Sequence, residues 1–146
     1  MSKAKSADLI LKLYDLRREA KMREARNWVF GFFPQSADEV LKAMIAEESS
    51  ANFRMVVTYW DMAASLVNHG AIDEEMFNDS AGESVAIFAK IEPFLEEIRI
   101  KMGSPKFLKN LEKLIMKQSN AKEMLAQRRE MLQRMMQARA EMSKTA

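Results

Sequence analysis

Apolar positions recur at three- and four-residue intervals through almost the whole chain, a period that predicts helices and leaves no alternating run for a strand. The first helix is expected to open at Ser6, to carry Leu9, Leu13, Leu16 and Ala20 on its apolar side, and to run on through a charged stretch to Arg26. Glu19 stands four residues before Arg23 there, a spacing that supports a solvated helix. Trp28, Phe30, Phe32 and Phe33 then crowd together, and Gly31 with Pro34 is expected to stop the helix.

Ser36 and Glu39 make a capping box for a second helix with Val40, Leu41, Met44 and Ile45 on one face. A third helix begins at Ser49 or Ser50. Its stripe Phe53, Val56, Val57, Trp60, Ala63, Ala64, Val67 is backed by a second apolar face of Met55, Tyr59, Met62 and Leu66, which places it at the centre of the domain. Gly70 is expected to close it in a left-handed cap. Ile72 and Phe77 then bracket an Asp73 N-cap as a hydrophobic staple, opening a short helix.

Ser80 and Glu83 read as a second capping box, before a fifth helix whose stripe is Ile87, Phe88, Ile91, Phe94, Leu95, Ile98 and Met102. Pro93 is expected to kink it, because the Ala89 carbonyl loses its donor. Gly103-Ser104-Pro105 is the clearest boundary, and a last helix begins there with Phe107, Leu108, Leu111, Leu114 and Ile115 inward. Beyond residue 120 the stripe thins to Ala121, Met124, Leu125, Met131, Leu132, Met135 and Met142. Asn120 and Glu123 either recap this part or lie within one continuous helix to about residue 142.

With 146 residues, only four Gly and three Pro, the chain fits one all-α helical-bundle domain of five to six helices, large enough to bury a core unaided. The bundle is expected over residues 1–118, and a basic, Met-rich helical arm over 119–146, either part of that domain or an extension of it. The absence of Cys removes disulfides, thiolate nucleophiles and Cys-based metal sites, and makes the cytoplasm the expected compartment. Lys12 and Asp15 interrupt the first apolar stretch too early for a signal peptide, and no run approaches the roughly 18 apolar residues of a membrane span.

The net charge of +2 is a cancellation. Residues 1–35 carry eight basic and four acidic side chains, residues 36–103 five and thirteen, and residues 104–146 ten and four, giving blocks of +4, −8 and +6. An acidic body followed by a basic amphipathic tail suggests a surface made for contact.

Candidate chemistry is sparse. His69 is the only histidine and no Glu-x-x-His pair exists, so no metal and no cofactor is expected; Asp73, Glu74, Glu75 and Asp79 lack the spacing of a calcium loop and read as a negatively charged first turn. The third helix carries a polar stripe of Arg54, Thr58, Asp61, Ser65 and Asn68 between its apolar faces. If that stripe faced a cavity, Arg54 could hold an anion and Asp61 act as a base; otherwise it is an interhelical network, with Asp61 paired to an Arg of the first helix, or an exposed edge. Trp28, Phe30, Phe32 and Phe33 are too concentrated for one helix face, so core packing comes first, a subunit interface second, and membrane contact last, because the flanks lack the lysines of a lipid anchor. Arg128, Arg129, Arg134 and Arg139 could track phosphates, but the arm has no aromatic residue for base stacking and its methionines suit an adaptable protein or membrane-surface contact.

The strings Leu13-Tyr14-Asp15-Leu16-Arg17-Arg18-Glu19 through Asn27-Trp28, and Tyr59-Trp60-Asp61-Met62-Ala63-Ala64-Ser65-Leu66-Val67-Asn68-His69-Gly70, resemble segments of small helical bacterial proteins grouped as domains of unknown function. The resemblance covers residues 10–118 and implies a bacterial, soluble origin; it brings no activity and no site residues.

These readings favour a non-enzymatic interaction or assembly module that binds protein, chiefly other copies of itself, through the aromatic cluster and through Leu125, Leu132 and Met135 of the arm. A nucleic-acid- or ribosome-associated role for the basic arm is the alternative. A small-ligand carrier or enzyme built on the polar stripe comes third.

Overall fold

The computed structural model describes residues 2–145, and among them every regular element is helical. The α-helices are α1 (Lys3–Leu16), α2 (Ala20–Phe30), α3 (Ala37–Ile45), α4 (Ser50–Asn68), α5 (Glu74–Ser80), α6 (Gly82–Ile91), α7 (Leu95–Met102), α8 (Lys109–Ile115) and α9 (Ala121–Thr145). A 3₁₀ turn, Glu92–Phe94, joins α6 to α7 into one bent rod. The fold class is as expected, with more segments than the five to six predicted, because the fifth predicted helix is bent into two at this turn and the first and last are each divided.

The first division falls at residues 17–19. Ser2 caps α1, three residues before Lys5, and the chain leaves the helix after Leu16. Glu19 turns its carboxylate onto the Met22 N–H at 3.0 Å and so caps a new helix, in place of the expected pairing along one continuous helix with Arg23. The second division lies beyond Gly103. Gly103 is left-handed at φ 65°, as its place predicts, but Ser104 and Pro105 start only a turn, and α8 begins four residues later behind Leu108, itself at φ 55°. Its end at Ile115 and the restart at Ala121 settle the choice left open at Asn120 in favour of a new helix.

Helix α4 is the axis. All seven residues of its predicted stripe are buried, and α2, α3, α5 and α8 pack around it. The second apolar face is only partly covered: Met55 and Met62 are exposed, whereas Tyr59 and Leu66 pack against the core. Helix α6 lies against α8 and α9, so the C-terminal helix starts on the same core rather than standing apart. On α3, Ala43 is buried and Ile45 is 82% exposed, a reversal of the predicted face at that end.

Local caps follow the predicted chemistry at three sites. The Glu39 N–H donates to Ser36 Oγ at 3.1 Å while the Glu39 carboxylate takes the Gln35 N–H, and Asp73 accepts from the Met76 N–H between buried Ile72 and Phe77. Gly70 closes α4 at φ 82°. The second predicted box does not form: Ser80 bonds back to the Phe77 carbonyl, and Glu83 is drawn inward to Arg26 and Trp60.

Candidate functional site

The polar stripe of α4 is divided between two tasks. Asp61 accepts from the Leu111 N–H and from Asn110 Nδ2, both at 3.0 Å, and Asn68 donates to the Asn110 carbonyl at 3.0 Å. A carboxylate thus caps the first turn of α8 from a neighbouring helix, where free N–H groups and the helix dipole favour negative charge. Its partner is α8, not an arginine of the first helix. The rest of the stripe turns back on α4: Arg54 donates to the Ser50 carbonyl, Thr58 to the Arg54 carbonyl, and Ser65 meets His69 at the helix end. Asp61 and Asn68 meet at Asn110, and the other three bond within α4.

The aromatic cluster and the basic arm, by contrast, are brought together. Trp28 stacks on Phe32 with ring centroids 4.8 Å apart, and Phe32 meets Phe53 edge-on, which carries that pair into the core. Phe30 and Phe33 face a lysine that sequence reasoning passed over. Lys90, 6% exposed, donates to the Val29 and Phe30 carbonyls at 2.7 and 3.1 Å and lies 4.3 Å from the Phe33 ring centroid. It closes the C-terminal end of α2, where carbonyls lack helical donors. Burial pushes its ammonium down to about 8, with the Glu83 carboxylate opposing the shift. Its only sequence signal was a lysine inside an otherwise apolar run, Ile87 to Ile91.

From the arm, Arg129 donates to the Ala89 carbonyl at 2.8 Å, Arg128 to the Gly82 carbonyl at 3.1 Å, and Arg139 sits 5.6 Å over the Phe30 ring. A cavity of about 180 Å³ opens between Phe33, Lys90, Phe94, Arg129 and Gln133. Leu125 and Leu132 are buried in this packing, so they serve the chain's own core and are withdrawn from the predicted intermolecular contact. Met135 is 48% exposed, and beyond Leu132 every described residue but the half-buried Met136 is exposed.

A further junction was missed. Arg26 grips Glu83 through Nε and Nη2, both at 2.9 Å to Oε1, and the Trp60 indole N–H donates to Glu83 Oε2 at 2.8 Å. Full burial of a tryptophan requires an acceptor for its N–H, which was the available signal; that the acceptor is Glu83 depends on how α6 lies. Next to it the Tyr59 hydroxyl donates to the Leu13 carbonyl, and burial pushes its pKa up to about 12.

Fold and junctions define an all-helical domain whose polar groups serve mainly to lock helices to one another. Residues 3–118 match the family described as Domain of unknown function (DUF4760), and the chain belongs to that family. No curated protein and no solved structure matches the chain. The matched region ends just before α9. Among the described residues no helix is long and apolar enough to cross a membrane.

Proposed function

We propose that the protein is a non-enzymatic assembly module that pairs with a second copy of itself through the outer half of α9. The observation that carries this reading is the course of that helix. It runs from Ala121 to Thr145, yet its last buried residue is Leu132. At 1.5 Å per residue, the remaining helix extends roughly 20 Å past its last buried residue. Met131, Met135, Ala138 and Met142 follow one another at the i, i+4, i+7, i+11 spacing of a coiled-coil seam, and the three methionines are exposed. A helical segment of this length with so little packing is marginal in water, and flexible thioether side chains suit a mating surface of this kind.

The competing nucleic-acid reading loses support from the same geometry. Arg128 and Arg129 hold carbonyls of α6 and its N-cap region, and Arg139 covers Phe30, which leaves Arg134 and Lys144 as the outward cations of the outer half. The enzyme reading loses its candidate base, because Asp61 caps α8.

Light-scattering mass across a concentration series tests the proposal. The parent chain is expected to gain mass with concentration, and a Met131→Gln, Met135→Gln, Met142→Gln variant, altered only at exposed positions, to stay monomeric. A parent that remains monomeric throughout, or a variant that keeps the parent's mass, overturns it; retention of RNA or DNA with a steep loss on added salt would promote the nucleic-acid reading.

A further inference from the structure

Among the described residues, the cations drawn into this molecule have acceptors built for them, with one exception. Arg26 has Glu83, Arg99 has Glu112 and the Phe107 carbonyl, Lys90 has two carbonyls of α2, and Arg129 has Ala89. Arg17 stands apart at the elbow between α1 and α2. Its Nε is buried without a hydrogen-bond partner, and no carboxylate among the described residues lies within ion-pair distance of its guanidinium. It rests instead on aromatic faces, 5.2 Å from the Trp60 ring and 5.4 Å from that of Tyr14. Glu83, the acid on the Trp60 indole N–H, is already spent on that group and on Arg26.

Arg17 also lines a cavity of about 130 Å³ whose other walls include Leu13, Tyr59, Trp60 and Phe77, with exposed Leu11 and Tyr14 among its lining residues. An apolar cavity of roughly 150 Å³ is enough to take up a benzene ring. A guanidinium at the edge of such a space, with no carboxylate of the described residues beside it, is open to an anionic acceptor. A single planar guanidinium matches the two oxygens of one carboxylate, whereas a phosphate dianion would leave a charge uncompensated among apolar walls.

We infer that this pocket binds a small apolar monocarboxylate, an aryl acid or a short aliphatic acid, with its ring or chain against Trp60 and Phe77 and its carboxylate on the Arg17 guanidinium. The site is separate from α9 and holds whether or not the chain assembles.

Calorimetric titration of the full chain with benzoate and hexanoate, beside benzyl alcohol and hexan-1-ol, tests the inference. Saturable binding of the acids is expected, with the matched alcohols weaker by roughly tenfold or more, the scale of a charge-assisted hydrogen bond. Arg17→Gln is expected to weaken the acids by a similar factor and to leave the alcohols unchanged; Arg17→Lys, which keeps the charge and loses the fork, should fall between. Emission from Trp60, isolated by Trp28→Phe, is expected to move with saturation by acid. Absence of saturable binding at millimolar acid, equal binding of acid and alcohol, or an Arg17→Gln variant that binds the acids undiminished overturns the inference. If that variant does not fold, the acid against alcohol comparison on the parent decides alone.

Discussion

Arg129 of α9 donates to the carbonyl of Ala89 at 2.8 Å, and Ala89 is the residue whose helical donor Pro93 removes. A proline four residues on leaves a bare acceptor on α6; a guanidinium from 40 residues further along the chain supplies the missing donor. The kink and the docking of the C-terminal helix are therefore one feature.

Removal of that donor is expected to loosen α9. Arg129→Met leaves the Ala89 carbonyl unpaired in a partly buried site and should lower stability by about 1–3 kcal/mol, the usual cost of an unsatisfied buried acceptor. Arg128→Met removes an exposed bond to Gly82 and should cost far less. Urea melts give the totals, and amide exchange over residues 121–132 should quicken in the Arg129 variant only. Equal effects of the two changes would refute the link between Pro93 and Arg129.

Leu125 and Leu132 are expected to behave as core residues. Leu125→Ala should cost about 2–5 kcal/mol in denaturant melts, the range for truncating a buried leucine, and should do so even at a concentration where the chain is monomeric. A loss that appears only when the chain is associated would return Leu125 to an intermolecular role.

Trp60 combines burial with a hydrogen bond, and two substitutions separate them. Trp60→Ala should cost about 3–5 kcal/mol. Trp60→Phe keeps an aromatic ring, forfeits the donor to Glu83 and is expected to lose less. A loss for Trp60→Ala of under about 1 kcal/mol would place Trp60 outside the core.

Asp61→Ala is expected to release the start of α8, since it strips the acceptor from both the Leu111 N–H and Asn110 Nδ2. Exchange should rise first over residues 109–115, and the global loss should be about 1–3 kcal/mol. If α8 amides keep parental protection while the rest of the fold weakens, the capping role assigned to Asp61 fails.

The buried amine of Lys90 carries a pH signature. Its folded pKa, about 8, lies below the ordinary 10.5, so between those values the unfolded chain binds more protons than the folded one. Stability then rises with pH across that window, is fully gained above 10.5 and is lost again as pH falls towards 8. Tyr59, raised from 10 to about 12, acts in the opposite sense above pH 10, so the rise is clearest below that point. Melts of the parent and of Lys90→Met from pH 7 to pH 10 should show the parent gaining on the variant; parallel curves would mean that Lys90 titrates as an exposed lysine.

A structural feature that depends on residues within about four positions is legible from the chain alone. The period of Phe53 to Val67 set the buried face of α4, Ser36 and Asp73 capped their helices, Gly70 and Gly103 took the left-handed turns, and Pro93 bared the Ala89 carbonyl. Helical register and capping are short-range matters, decided by neighbours one turn away. The partners of the polar and charged groups are not. Asp61 finds Asn110 49 residues on, Lys90 finds Val29 61 residues back, and Glu83 leaves its predicted box for Arg26, 57 residues away. In each case a local bond of similar strength was available or the side chain could have remained in water, and the choice fell to which helices the core brought into contact. Leu125 and Leu132 show the same dependence: their spacing marked an apolar stripe, but only the packing of α9 on α6 decided that their own domain covers it.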